Sequence, residues 1–422
     1  MHRFTIGNRL SLHATRLLVA CVASLAAGTT LAQELDLSPD VVELTSGRRI
    51  KGRVVFQDDE GVTMRIGSRE KVYDREKVVS VEAITDKLPR ALDLIDSLPY
   101  GSVGLHLDAA GELADLGLPR EARLLYWRVL GFDPEERRAH EGLGSRRSSN
   151  RWLVPGGKRA TTLEKLKVKS ADWGGAWEFE TTHFRLRSNL PLETALTACL
   201  DLERIYRGFY ATFGAAFELH EVIEPMEVSI HADRSSYPEL SSHLGGYFSP
   251  ADNRLYMDAS SGLERPLLAH EVTHQLLFNT AYRTRKRSGH IPGWLDEGLA
   301  QYMQAAARPL GESLAFRPGT EVPAWLSEHA VAQDPFTLKR VLNLDQTAFR
   351  GSESRLKYAQ SWSLVQFCLH ADDGLYRPGF LRYINGCYRG QSSGTHFTKA
   401  FKMDAEELEL PWLKWVRGQA NR

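Results

Sequence analysis

The stretch His270-Glu271-Val272-Thr273-His274 limits what this chain of 422 residues can fold into more than any other feature. It lies in an apolar segment that begins at Pro266, a residue suited to the first turn of a helix, where no N–H is needed. On such a helix the two histidines lie one turn apart on the same face. They can therefore hold a Zn²⁺ from one side, with the glutamate between them in reach of a water on the metal.

A zinc site needs a third protein ligand, and the next apolar segment offers Glu297. Pro292 marks a second helix start, and Glu297 lies in the first turns of that helix. The separation from His274 is 297 − 274 = 23 positions, which leaves room for a loop and a helix that turns back. We therefore predict one Zn²⁺ per chain, bound by His270, His274 and Glu297.

The two motifs together resemble the gluzincin metallopeptidases. In that group one helix carries H-E-x-x-H and a later helix carries the glutamate ligand, often as W-x-x-E-G-x-A. This sequence reads Trp294-Leu295-Asp296-Glu297-Gly298-Leu299-Ala300. The nearest resemblance is to the peptidase MA-like domains of uncharacterised bacterial exported proteins, and it covers roughly residues 176–415.

The resemblance implies roles for three further residues. Glu271 would be the general base for a zinc-activated water. Tyr358 would donate to the oxyanion, because aminopeptidase gluzincins carry a tyrosine roughly sixty residues past the glutamate ligand, and here 358 − 297 = 61. Gln301 stands where several gluzincins carry an aspartate that accepts a bond from a ligand histidine, so this contact would polarise the imidazole less.

The resemblance also implies where the substrate binds. The strand Asn253–Asp258, immediately before the metal helix, would be the sheet edge beside the cleft, with Arg254 and Tyr256 as substrate-binding residues. An edge strand can pair with an extended peptide through backbone hydrogen bonds. The motif G-A-M-E-N, which grips a free amino terminus in aminopeptidases, is absent, and this slightly favours an endopeptidase.

Residues 1–32 are predicted to be a signal peptide. A basic start without acids is followed by an apolar run over residues 17–27 and a small residue, Ala32, before Gln33. An uncleaved anchor or a lipoprotein signal ending at Cys21 are the alternatives. We predict a secreted or periplasmic protein whose mature chain has no membrane span.

The remaining chain divides into regions of different periodicity. Alternating apolar residues over 33–86 predict a small β-barrel of the SH3 or Sm-like kind, either a docking module or a stabilising appendage. Helical spacing over 87–145 resembles one tetratricopeptide-type hairpin and predicts a spacer, and residues 146–175 predict a linker. The predicted barrel and the predicted helical spacer are the candidate sites for a protein partner.

The catalytic region is predicted over residues 176–306 and a helical lobe over 307–422. Strands are predicted at 183–187, 226–230 and 253–258, with a long helix after the first of them. The predicted fold class is therefore α+β, with a gluzincin-like α/β lobe that contains the metal helix.

Composition restricts the partners. The chain has 53 basic and 53 acidic residues, and removal of three arginines with the signal peptide leaves 50 − 53 = −3, so there is no general basic field for nucleic acid. The three cysteines after the signal peptide do not form a disulfide framework. A single bridge between Cys368 and Cys387 is an alternative to the favoured interpretation of buried thiols.

Two further histidines, His243 and His290, and the basic run at 283–287 are close to the metal motifs in sequence, but we interpret them as surface groups. The sequence thus predicts an exported zinc metallopeptidase that cuts peptide bonds in a peptide or protein substrate. The alternatives are a zinc-stabilised adaptor of the cell envelope without activity and a metal-dependent hydrolase of a non-peptide amide.

Overall fold

The computed structural model describes residues 37–156, 160–238, 245–280, 291–319, 332 and 334–420. The predicted signal peptide, His243, His290 and the basic run at 283–287 lie outside these residues. Within the described part of the chain, no helix has both the length and the apolar character needed to cross a membrane. The fold is of the mixed α+β class, as the sequence predicts.

The N-terminal region is an antiparallel sheet in the order β4-β3-β2-β1-β5. Its strands are β1 (Asp40–Leu44), β2 (Arg49–Gln57), β3 (Gly61–Ile66), β4 (Arg69–Asp74) and β5 (Val78–Glu82). A register shift bends β2, but the edge strands β4 and β5 do not pair with each other in the described residues, so the sheet is not the predicted closed barrel. The alternation of apolar and polar residues determines which face of each strand is buried. It does not determine whether the two edge strands of the sheet pair with each other.

A group of helices follows the sheet and packs on the rest of the molecule. It comprises α1 (Ile84–Asp96), α2 (Val103–Asp115), α3 (Pro119–Phe132) and α4 (Arg137–Gly142). The helices α2 and α3 contact each other, and the apolar stripes that predict them are mostly buried. The segment predicted as a linker forms the hairpin β6 (Arg146–Ser148) and β7 (Arg151–Leu153) and the helix α5 (Leu163–Ser170).

The second large sheet packs against the helix that contains His270 and His274, and it has the order β11-β12-β10-β9-β8. Its strands are β8 (Trp177–Glu180), β9 (Phe184–Ser188), β10 (Met226–His231), β11 (Gly246–Ser249) and β12 (Arg254–Asp258). The strand β10 runs parallel to β9 and β12, and β11 lies antiparallel to β12 at one edge. The helix α6 (Leu192–Phe209) packs against β8 and β9.

Two helices carry the motifs, and a helical region completes the chain. These two are α7 (Arg265–Thr280) and α8 (Gly293–Ala306). A hairpin, β13 (Ala307–Leu310) and β14 (Ser313–Phe316), precedes α9 (Leu338–Leu342), α10 (Ser354–His370), α11 (Arg377–Tyr388), α12 (Gly394–Phe401) and α13 (Ala405–Ala420). The helix α10 contacts α8 on one side and α11 and α13 on others. It is therefore buried almost all round.

The apolar side chains form two cores. One core fills the N-terminal sheet, and the other is a continuous cluster of buried residues from Ile84 to Val416. Cys199, Cys368 and Cys387 are buried free thiols, so the alternative of a bridge between the last two is wrong.

Candidate metal centre

The helix α7 presents its histidines from a buried frame. Leu268, Val272 and Leu276 are fully buried at helical spacing and fix the side of the helix that packs on the core. His270 and Glu271 are also almost fully buried. Since burial of polar groups needs compensation, these side chains must meet partners of their own in the interior.

Close packing of α8 against α10 brings Glu297 to the same place. A Cβ atom on Gly298 would lie 2.7 Å from the carbonyl oxygen of Ser361 and 2.8 Å from a methyl carbon of Val365. Only glycine allows this approach, which explains the residue that follows the glutamate in the motif. Trp294 on the same helix is fully buried. Glu297 itself is buried and turned to α7.

Three ligand atoms meet in a compact triangle. The Nε2 atoms of His270 and His274 are 3.1 Å apart, and Oε2 of Glu297 lies 3.4 Å from each of them. These are the only described residues that form a cluster of three potential metal ligands. The predicted set of His270, His274 and Glu297 is thus brought together.

The triangle fits a tetrahedral zinc ion. Zinc bonds to nitrogen and oxygen of about 2.0–2.2 Å at tetrahedral angles place neighbouring ligand atoms about 3.3–3.5 Å apart. The three separations of 3.1, 3.4 and 3.4 Å lie close to this range. Oε2 of Glu297 is buried and has no hydrogen-bond partner in the described part of the chain, so the oxygen that faces the histidines lacks the contact a cation would give.

The electrostatics of the centre also favour a cation. Burial alone would lower the pKa of His274, but the carboxylates of Asp296 and Glu297 raise it well above its ordinary value. Burial alone would raise the pKa of Glu297, but His274 and His270 lower it to about 2. The site therefore holds negative charge in a buried place and stabilises positive charge beside it.

His274 is oriented by Asp296, a residue that we did not predict. With Nε2 directed at the triangle, Nδ1 of His274 carries the proton and donates to Oδ1 of Asp296 at 3.1 Å. The other carboxylate oxygen of Asp296 accepts a bond from Gln346. The signal in the sequence was an acidic residue directly before the glutamate ligand, to which we assigned no role.

The predicted hydrogen bond between Gln301 and a ligand histidine is not formed in the described residues. Its Oε1 atom is buried without a partner, and so is Nδ1 of His270. Gln301 lies one turn beyond Glu297 on α8, and the two orphaned atoms are a complementary donor and acceptor. A role of Gln301 beside a ligand histidine stays a prediction.

Glu271 lies beside the triangle and against the sheet edge. A Cβ atom on Gly246 would lie 3.1 Å from Cγ of Glu271 and 2.6 Å from Sδ of Met257. Burial raises the pKa of Glu271, whereas the two histidines and the backbone N–H of Phe248 lower it. A desolvated carboxylate that is not one of the three ligands is thus held at the boundary between α7 and β11.

Tyr358 is close to the centre. It lies in the first turns of α10, is half-buried, and its ring centroid is 6.5 Å from that of His270. The ring also contacts Phe349 at 5.0 Å. This proximity is compatible with the predicted role as a hydrogen-bond donor to the substrate.

The edge position predicted for Arg254 and Tyr256 is wrong. Both lie on β12, which is covered on its outer side by β11. Met257 faces α7, and because side chains alternate along a strand, Arg254 and Tyr256 face the other side of the sheet. Arg254 there bonds Ser229 and Glu227, and the hydroxyl of Tyr256 donates to Asp252 at 2.6 Å.

One comparison with known proteins covers this centre. A family model described as a protein of unknown function (DUF1570) matches residues 266–385. The span is 385 − 266 + 1 = 120 residues of 422 and includes the three ligand residues, Glu271 and Tyr358. The chain is similar to that family over this part, whose description assigns no activity. No curated protein matches the chain.

Proposed function

We propose that this protein is a zinc-dependent hydrolase that cuts peptide bonds in a peptide or protein substrate. The supporting observation is the triangle formed by His270, His274 and Glu297, with separations of 3.1, 3.4 and 3.4 Å, beside the buried carboxylate of Glu271. His270, His274 and Glu297 would hold a Zn²⁺ with three protein ligands, which is the number found in catalytic zinc sites.

A Zn²⁺ bound there would act as a Lewis acid and lower the pKa of a water ligand toward about 7. Glu271 accepts the proton of the attacking water and delivers it to the nitrogen of the leaving amine. Tyr358 donates a hydrogen bond to the carbonyl oxygen as negative charge develops on it.

The positioning of the ligands supports catalysis over a purely structural role. Asp296 holds the ring of His274 through its Nδ1–H, which fixes the tautomer that presents Nε2. A zinc-stabilised adaptor would need the three ligands, but it has no use for a desolvated carboxylate at Glu271. The non-peptide amide hydrolase is the second candidate, because the same groups would act on any amide carbonyl.

Export is part of the proposal and rests on the sequence of residues 1–32. We propose that the mature protein acts in the periplasm or outside the cell. The N-terminal sheet and the helices α1–α4 are the surfaces proposed for a protein partner.

The test is digestion of a quenched peptide library by the zinc-loaded chain. We expect cleavage that stops when a chelator removes the metal and returns when zinc is restored. A matched sample of Glu271→Gln at equal zinc content controls for contaminating proteases. If the wild-type chain cleaves nothing across broad libraries while it holds zinc, the peptidase proposal is overturned and the adaptor gains.

A further inference from the structure

An aromatic wall, formed by Phe248 and Phe278, lies where β11 contacts α7, one helical turn beyond His274. Phe248 on β11 and Phe278 on α7 face each other, with ring centroids 5.3 Å apart and planes inclined at 56°. Both rings are half-buried. Among the described residues neither belongs to the main hydrophobic core or packs against it, so the pair does not serve to fill that core.

The helix places Phe278 on the side that carries the ligands. It follows His274 by one turn and Glu271 by two turns, so all three side chains lie on one face. Along the helix axis, Phe278 is about 10 Å from Glu271, at about 1.5 Å per residue. The aromatic wall thus begins one turn beyond the ligand atoms.

The edge strand runs alongside in the same order. Gly246 lies against Glu271, and Phe248, two residues later, has its side chain on the same face of the strand and meets Phe278. Two residues of a strand span about 6.7 Å. An extended chain paired with β11, with a carbonyl at the metal, would therefore lay a side chain one or two residues away against the two rings.

We propose that Phe248 and Phe278 determine specificity and form a subsite for a bulky apolar side chain, aromatic or aliphatic, next to the scissile bond. This inference rests on the proposed function and names its substrate class. A charged side chain at this place would lose water without a partner, whereas an apolar one buries its surface against the rings. A small side chain would bury less apolar surface against the rings.

The experiment uses the full zinc-loaded chain and a binding readout besides cleavage. The probes are pairs of short peptide hydroxamates. Within a pair, one peptide has a benzyl side chain and the other has a hydrogen at the same residue. That residue is either the first or the second from the hydroxamate. Titration calorimetry gives the Kd of each probe, and the quenched library gives the cleavage preference. We expect the benzyl probe to bind about tenfold more tightly or better at one of the two positions.

The variants are Phe248→Ala, Phe278→Ala and Phe248→Leu, with Tyr247→Ala as the matched control. Tyr247 lies on the same strand, but its ring faces the other side and stacks on Tyr256 at 5.0 Å. The two phenylalanine-to-alanine changes should remove most of the benzyl advantage, Phe248→Leu should keep part of it, and Tyr247→Ala should keep it. Zinc content and circular dichroism establish that each variant is folded.

Equal binding of the two probes by the wild type would overturn the inference. A benzyl advantage that persists in Phe248→Ala would also overturn it, and so would an equal loss of that advantage in Tyr247→Ala. A benzyl advantage without cleavage of any peptide would overturn the peptidase proposal alone. Failure of both probes to bind would overturn the metal centre and this inference with it.

Discussion

Glu271 and His274 lie three residues apart on α7, yet their chemical roles differ, so their substitutions should have separable effects. Glu271→Gln should reduce hydrolysis about 10²–10⁴-fold with zinc retained, because a proton acceptor is lost and no ligand is. His274→Ala should lose zinc and activity together, because the Lewis acid is no longer held. Tyr358→Phe should lower turnover less, with zinc retained. The assay is peptide cleavage at measured zinc content.

The contrast between these variants separates proton transfer by Glu271 from metal binding by His274. Glu271→Gln with wild-type activity would show that the proposed proton transfer is wrong, even if the protein is a hydrolase. A Glu271→Gln protein that also lost its zinc would place this carboxylate among the ligands.

Asp296 gives a second prediction at this scale. Asp296→Ala should weaken zinc binding about 10–100-fold, since the Nδ1–H of His274 loses its acceptor and the ring loses its fixed orientation. Competition with a coloured chelator measures the affinity. Asp58→Asn, in a turn of the N-terminal sheet, serves as the control. Unchanged zinc affinity in Asp296→Ala would refute the positioning role.

Residue spacing predicted the ligands because a helix converts positions four apart into one face, and the second motif supplied Glu297. The contact between Asp296 and His274 could not be predicted from residue spacing, because it depends on how α7 and α8 cross. Arg254 and Tyr256 were placed at an edge because β11 was not predicted at all.

At the scale of elements, β11 and α7 must approach closely for Glu271 to reach its place. Gly246→Ala should lower activity about 10–100-fold with zinc retained, because its Cβ would crowd Glu271 and Met257 and shift the carboxylate. Gly111→Ala is the matched control: it lies inside α2 with nothing within 4 Å of its Cβ. That control should gain about 0.5–1 kcal/mol of stability and keep activity. Equal activity in both variants would contradict the close-approach argument.

The helix α6 was predicted from a long periodic pattern, and α7 was predicted from its apolar segment, Pro266 and the motif. The strand β11 has only four residues, begins with glycine and sits at an edge, so its pattern is too short to indicate a strand. The burial of α10 on several sides could not be predicted from its own sequence, because it depends on contacts with the separate helices α8, α11 and α13.

At the scale of the whole molecule, Glu221 connects the N-terminal sheet to the part of the chain that contains the candidate metal centre. Its backbone N–H donates to the carbonyl of Val55 at 2.7 Å, and its carboxyl accepts from the hydroxyl of Tyr206 at 2.9 Å. Burial raises the pKa of Glu221 to about 7. The folded state therefore binds a proton that the unfolded state has released between about pH 4.5 and 7.

The sign of this linkage gives a pH prediction. The contribution of Glu221 to stability is fully present below about pH 4.5 and is lost as the pH rises through about 7. Urea unfolding from pH 5 to 8 should show stability declining with pH, by on the order of 1–3 kcal/mol from this group. Glu221→Gln should flatten the decline, and an unchanged decline in that variant would contradict the assignment.

The extent of the main core could not be predicted from local patterns in the sequence. Composition and periodicity change near residues 86, 145 and 175, but one continuous core includes residues from Ile84 to Val416. Which helices share a core depends on long-range contacts, and local periodicity carries no information about them.

Elemental analysis of the purified chain after zinc reconstitution and gel filtration tests the central claim most directly. The arrangement of His270, His274 and Glu297 predicts about one zinc ion per wild-type chain, the same content in Glu271→Gln, and none in His274→Ala. A wild-type chain without zinc, or a His274→Ala chain with an undiminished content, would contradict the metal centre on which the proposed function depends.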